Sequence, residues 1–103
     1  MSKVCIFFAE GYEEIEALTV VDLLRRSGID TAMVSVTGDR TVTSSHGVPV
    51  VVDSLFAETD FSDTEMLVLP GGMPGTKNLE ACAPLMALVD EFYQKEKYVA
   101  AIC

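Results

Sequence analysis

An α/β fold built on a parallel sheet is what this sequence predicts, and three observations carry the prediction. Val4 to Phe8 (VCIFF) and Met66 to Leu69 (MLVL) are apolar without alternation, as in strands covered on both faces. Helical spacing follows each run: Ile15, Leu18, Val21 and Leu24 after the first, and Leu85, Leu88, Val89 and Phe92 after the second. The resulting order is β-α-β, hairpin, β-α-β, and strands that alternate with helices imply parallel neighbours joined by crossovers.

The elements follow in turn. Ala9-Glu10-Gly11-Tyr12 ends the first strand. A helix is predicted from about Glu13 to Ser27, with acids in its first turn, Arg25 and Arg26 in its last, and Gly28 as its stop. Thr31 to Val36 (TAMVSV) is the second strand. In TVTSSHGVPVVVD two short β runs flank Ser45-His46-Gly47, which predicts a hairpin, and Pro49 places it at a sheet edge because proline cannot donate to a ladder. Leu55 to Thr64 is expected to be a polar connection. Met66 to Leu69 is then stopped by PGGMPG (Pro70 to Gly75), a helix runs from about Pro84 to Glu96, and the last strand, Tyr98 to Ile102, leads into Cys103. Such a strand needs cover on both sides, so residues 1–103 are expected to be the N-terminal portion of a single α/β domain whose C-terminal part is missing.

Composition limits the function classes. The chain has 103 residues, 50% of them hydrophobic, which fits one globular domain. Its net charge of −9 disfavours nucleic acid and anionic membranes as partners. No apolar run approaches the roughly 20 residues needed to span a bilayer, and Met1-Ser2-Lys3 does not open a signal peptide. Cys5, Cys82 and Cys103 show neither CxxC spacing nor an even count. Disulfide and zinc frameworks are therefore disfavoured, and a reducing cytoplasm is the expected compartment.

Chemistry concentrates where parallel strands end. The loop after Phe8 carries Glu13, Glu14 and Glu16, the loop after Leu69 carries Gly71-Gly72, and Ile102 is followed by Cys103. Together they supply a thiol, a carboxyl to govern its charge, and amides without side chains to hold an oxyanion. Helix-dipole support lowers a thiol pKa, and two anions in contact are costly, so the neighbouring carboxyl would keep the proton and donate a hydrogen bond to sulfur. Glu16 is the candidate, one turn inside the helix and between Ile15 and Ala17, which are expected to be core. Taken alone, each part has an ordinary reading: acids complementing a helix dipole, a tight glycine turn, a core cysteine. Cys5 reads as core, Cys82 as a helix start or loop residue, and His46 as an exposed turn residue.

The conjunction is more specific. FAEGYEEIEA, DLLRRSGI, SSHGVPVVVD, LVLPGGMPGTKNL and AAIC, in this order, resemble the ThiJ/PfpI superfamily, closest to the branch of the Parkinsonism-associated deglycase and YajL. The resemblance covers nearly the whole chain. It implies a flavodoxin-like (Rossmann-like) parallel-sheet sandwich and a homodimer formed through the first helix and the hairpin. Cys103 matches the family's nucleophile, Glu16 the glutamate that hydrogen-bonds the thiol, and Gly72, beside Gly71, the glycine whose N–H helps form the oxyanion pocket. The implied activity is a glyoxalase or deglycase acting on methylglyoxal-type α-oxoaldehydes or their adducts, with no cofactor and no metal. The alternatives are a stress sensor or chaperone that reads oxidation of the same cysteine and, further off, a cysteine peptidase or amidase. The family continues past the cysteine with a turn, a helix and a histidine; His46 does not match that histidine. A chain that truly ended at Cys103 would lack the dipole that activates the thiol and is expected to be inactive.

Overall fold

The apolar run at the start of the chain becomes the middle of a sheet. In the computed structural model, which describes residues 3–102, the elements are β1 (Val4–Phe8), α1 (Glu14–Arg26), β2 (Thr31–Ser35), β3 (Thr41–Thr43), β4 (Pro49–Val51), β5 (Ser54–Leu55), β6 (Met66–Leu69), α2 (Gly75–Glu80), α3 (Ala83–Gln94) and β7 (Tyr98–Ala101), with one 3-10 turn at Phe56–Glu58. Five strands form a wholly parallel sheet in the order β5-β2-β1-β6-β7. Every residue of β1 is buried because both of its faces are covered. Val4, Ile6 and Phe8 face α1 and the hairpin, packing with Ala17, Val21, Val42 and Val68. Cys5 and Phe7 face the other way, onto Leu79 of α2 and Leu85 and Phe92 of α3. Burial lifts the Cys5 thiol pKa, which keeps it protonated and inert.

Helix α1 begins and ends as its sequence dictates. Glu13 is extended and caps the helix with its own carboxylate, which accepts from the Ile15 N–H at 3.0 Å. At the far end, Ile29 N–H reaches Leu24 O and Gly28 N–H reaches Arg25 O, closing the last turn around a left-handed Gly28.

Four expectations change. The hairpin exists, with β3 antiparallel to β4, but it forms a two-stranded sheet of its own and does not extend the main one. The main sheet's edge is instead β5, paired with β2 at the start of what the sequence predicts as a polar connection; two residues are too few to show periodicity. Helix α2 was not predicted, because its six residues, GTKNLE, include glycine, threonine and asparagine, all weak helix formers. Ile15, expected in the core, is 72% exposed. Residues 15, 18, 21 and 24 are spaced by three throughout, so each lags the helical turn by about 60°, and the first falls on the far side.

Strand β7 closes the other edge of the sheet, with Tyr98 and Val99 exposed on it. Among the described residues no helix is long and apolar enough to cross a membrane.

The two aromatic neighbours at the end of α3 offer a test of this packing. Phe92 is 1% exposed and Tyr93 is 74% exposed. Phe92→Ala is expected to cost about 3–5 kcal/mol of unfolding free energy, and Tyr93→Ala less than about 0.5 kcal/mol. Urea unfolding followed by circular dichroism checks both, and equal costs would contradict the placement of α3.

Candidate active site

The chain leaves β1 toward β2 on one side of the sheet, yet β6 pairs with β1 on the other. This reversal opens a crevice beyond the carboxyl ends of β1 and β6, the place where doubly wound sheets bind ligands. Both loops that line it are held by direct backbone contact. Glu13 N–H donates to Gly71 O at 2.9 Å, and Gly75 N–H donates to Gly11 O at 3.1 Å. Such an approach leaves no room for side chains. A Cβ on Gly72 would lie 2.6 Å from Glu13 N, and one on Gly75 would lie 2.7 Å from Gly11 O. Gly72 also has φ +106°, a conformation that other residues adopt only under strain.

Into this crevice α1 delivers Glu16. Its carboxylate is half-buried and accepts the Gly71 N–H at 2.9 Å, 55 residues away in sequence. The Gly71 amide thus orients Glu16. Gly72 follows it on the same turn. Beside them β7 arrives in register with β6, and Ile102 N–H bonds Leu69 O at 3.0 Å. Cys103 lies outside the described residues. A mostly apolar cavity of about 230 Å³, lined by Leu69, Pro70, Leu79, Met86 and Ile102 among others, opens at this end of β6 and β7. A wider hollow of about 530 Å³ lies by Gly28 and Thr31, at the opposite rim of the sheet. There Asp53 is already engaged by Arg25 at 2.7 Å and by Met33 N–H at 2.8 Å.

The other acids of the first turn do different work. Glu14 has a side chain only 18% exposed, and its Oε1 meets Nδ1 of His46 at 2.5 Å. The Ser44 hydroxyl and then His46 favour the Glu14 anion and hold its pKa below the usual carboxylate range, although no hydrogen bond of good geometry joins Ser44 to it. In return the hydrogen bond and charge of Glu14 raise the His46 pKa. The pair links the hairpin turn to the start of α1, and separation by 32 residues leaves no sequence signal for it. Tyr12, just before the helix, is buried edge-on against Phe8. Burial, followed by the charges of Glu14 and Glu10, pushes its hydroxyl pKa up to about 12.

The DJ-1/PfpI family matches residues 2–103. The chain belongs to it. Within the family, the chain is 32% identical over 111 residues to the glutathione-independent glyoxalase DJ-1 of Schizosaccharomyces pombe, covering 100% of this chain and 58% of that protein. It is 32% identical over 102 residues to the deglycase TK1284 of Thermococcus kodakarensis, covering 98% of this chain and 60% of that one. Among solved structures, oxidized Toxoplasma gondii DJ-1 superposes with a TM-score of 0.94 at 35% identity, covering 100% of this chain and 56% of that one. The chain therefore spans somewhat more than half the length of these relatives, and only 23% and 26% of two Arabidopsis thaliana DJ-1 homologs. Its parallel sheet with flanking helices is the family's fold.

Two measurements probe the crevice. Gly72→Ala should lose at least about 2 kcal/mol of stability, from left-handed strain plus the clash with Glu13; an unchanged urea midpoint would refute the close approach. For the surface pair, a raised His46 pKa means that its contribution is fully present below the ordinary histidine pKa and is lost as pH rises through the raised value. A lowered Glu14 pKa means that its contribution is present above the ordinary carboxylate pKa and is lost as pH falls through the lowered value. The contact is therefore strongest in the mildly acid range between the two titrations. An NMR titration of His46 should show its pKa fall toward the ordinary value in Glu14→Gln; no change would exclude the pair.

Proposed function

We propose that this chain supplies the nucleophile half of a cofactor-independent glyoxalase or deglycase, acting on methylglyoxal-type α-oxoaldehydes or on the adducts they form. The observation that carries this reading is Glu16: a half-buried carboxylate fixed by the Gly71 amide, in the crevice that the end of β7 adjoins. A carboxyl held this way can move a proton without reorganising. The names of the fission yeast and archaeal relatives support the same substrate class.

In this mechanism the Cys103 thiolate adds to the aldehyde carbon and gives a hemithioacetal. The Gly72 N–H steadies the developing alkoxide. The alkoxide takes the proton that Glu16 holds, and the freed Glu16 carboxylate then takes the proton from the former aldehyde carbon and returns it to the neighbouring carbon, so that the ketone is reduced as the aldehyde carbon is oxidised to a thioester. Water hydrolyses the thioester, releasing lactate and regenerating the thiolate. The sum is methylglyoxal plus water giving lactate, with no external oxidant or reductant. The mostly apolar cavity beside Leu69 and Ile102 suits a small uncharged substrate.

We place the site in a single domain of which residues 1–103 are the N-terminal portion, and in a homodimer. Ile15, Leu23, Val48 and Val51 stand exposed on α1 and the hairpin, which supports association through that face.

A second reading is favoured by the oxidized form of the Toxoplasma relative. Here Cys103 is an oxidation sensor, converted to a sulfinate with no useful turnover. The two readings separate in one experiment on the full-length protein. Cys103→Ala should abolish lactate formation, by about three orders of magnitude or more, and Glu16→Gln should reduce it about 10²-fold. Retained activity in Cys103→Ala would sink the enzymatic role. No turnover in the unsubstituted protein, with sulfinate on Cys103 alone under mild peroxide, would favour the sensor.

A further inference from the structure

His46 is the chain's one histidine, and the fold sets it against two carboxylates from the start of α1. One ligand atom from each of Glu13, Glu14 and His46 lies within 4.8 Å of the others. We propose that Glu13, Glu14 and His46 form a binding site for a first-row divalent transition-metal ion, with zinc as its type, completed by water.

The donor set argues for this class of ion. One imidazole with two carboxylates is the mixed nitrogen and oxygen environment that suits zinc, nickel or copper, whereas calcium and magnesium prefer oxygen alone. Three protein ligands leave a fourth position open to solvent. The geometry needs little adjustment. The His46 Nδ1 and Glu14 Oε1 atoms lie 2.5 Å apart, and a zinc ion between them would open them to about 3.3 Å. Glu13 keeps its cap on Ile15 with Oε1 and can turn its other oxygen to the ion. In the single chain the His46 side chain is 69% exposed, so the ion has access.

A second observation points the same way. Glu14 Oε2 is buried and makes no hydrogen bond, and neither does the Tyr12 hydroxyl, whose side chain is 1% exposed. Glu14 is close enough to hinder ionisation of that hydroxyl. Polar atoms are rarely buried without a partner, and a cation held by Glu14, with its water, would answer both. The ligands are also set in advance. Ser45 N–H bonds Tyr12 O and Gly11 N–H bonds Thr43 O, each at 2.9 Å, which fixes the hairpin against the start of α1. The amino end of α1 opposes any cation, so affinity has to come from the two carboxylates and the imidazole. This site stands apart from the Glu16 crevice and does not depend on the activity proposed for it.

The test is zinc titration of the chain carrying Cys82→Ser and Cys103→Ser, which leaves Cys5, 0% exposed, as its one thiol. Calorimetry should give one ion per chain with proton release, and the single histidine's ring signals should move with saturation. His46→Ala and Glu14→Gln should each weaken zinc at least tenfold, a loss as large as second-shell changes already cause, with circular dichroism unchanged. Binding that leaves the His46 signals unmoved, equal affinity in both variants, or no binding at millimolar zinc would each overturn the proposal. Should either variant unfold, cobalt added to the unsubstituted chain decides: selective broadening of the His46 ring supports the site, and its absence refutes it.

Discussion

Two loops lying backbone against backbone hold the carboxyl rim of this sheet together. The turn after β6 and the turn after β1 exchange hydrogen bonds directly, Glu13 N–H to Gly71 O and Gly75 N–H to Gly11 O. Only glycine allows the contact, since a Cβ at Gly72 or Gly75 would stand closer than 3 Å to the opposing main chain. Everything polar near the crevice is positioned from this seam. The first loop also receives the hairpin through Gly11 and Ser45, and α2 through Asn78, whose side-chain amide donates to Glu10 O at 2.8 Å. Three separate elements are thus registered on four residues of chain.

The seam also explains how the start of α1 tolerates so much negative charge. Glu13, Glu14 and Glu16 crowd one helix start in a chain already at −9. Each carboxylate is given a donor of its own: the Ile15 amide for Glu13, His46 for Glu14 and the Gly71 amide for Glu16. The exposed amides of a helix's first turn favour anions there. Repulsion among the three is met locally, so the acids can stand together without one of them being forced out of the site.

The sheet was legible from sequence where it is buried on both faces. Val4–Phe8 and Met66–Leu69 are continuous apolar runs for the physical reason that helices cover each side, and the hairpin's two β runs were visible around its turn. The failures have equally local causes. Strand β5 is two residues long, and α2 is built from weak helix formers, so neither leaves a periodic trace. The hairpin's separation from the main sheet depends on its contacts with the loop after β1, which no pattern within the hairpin records. At the site, the acid-rich start of α1 was legible, although Glu16 stands in the first turn of the helix and not one turn further in. The Glu14–His46 pair was not, because nothing in either segment refers to the other.

The three glutamates show what separates residues of one type within four positions. Glu13 is extended, with φ −85° and ψ 113°, and so folds back as a cap. Glu14 and Glu16 are helical, and at about 100° per residue they point in different directions. Measured from the buried Ala17, Glu14 falls about 60° to one side and Glu16 about 100° to the other, while Ile15 falls about 160° away, which is why it is exposed. One flank of α1 faces the hairpin and the other faces the turn after β6. Helical phase alone therefore sends Glu14 to an imidazole and Glu16 to a backbone amide. Moving either acid by one residue along the helix would take it off its flank, so the spacing of these carboxylates, more than their number, is what assigns each its partner.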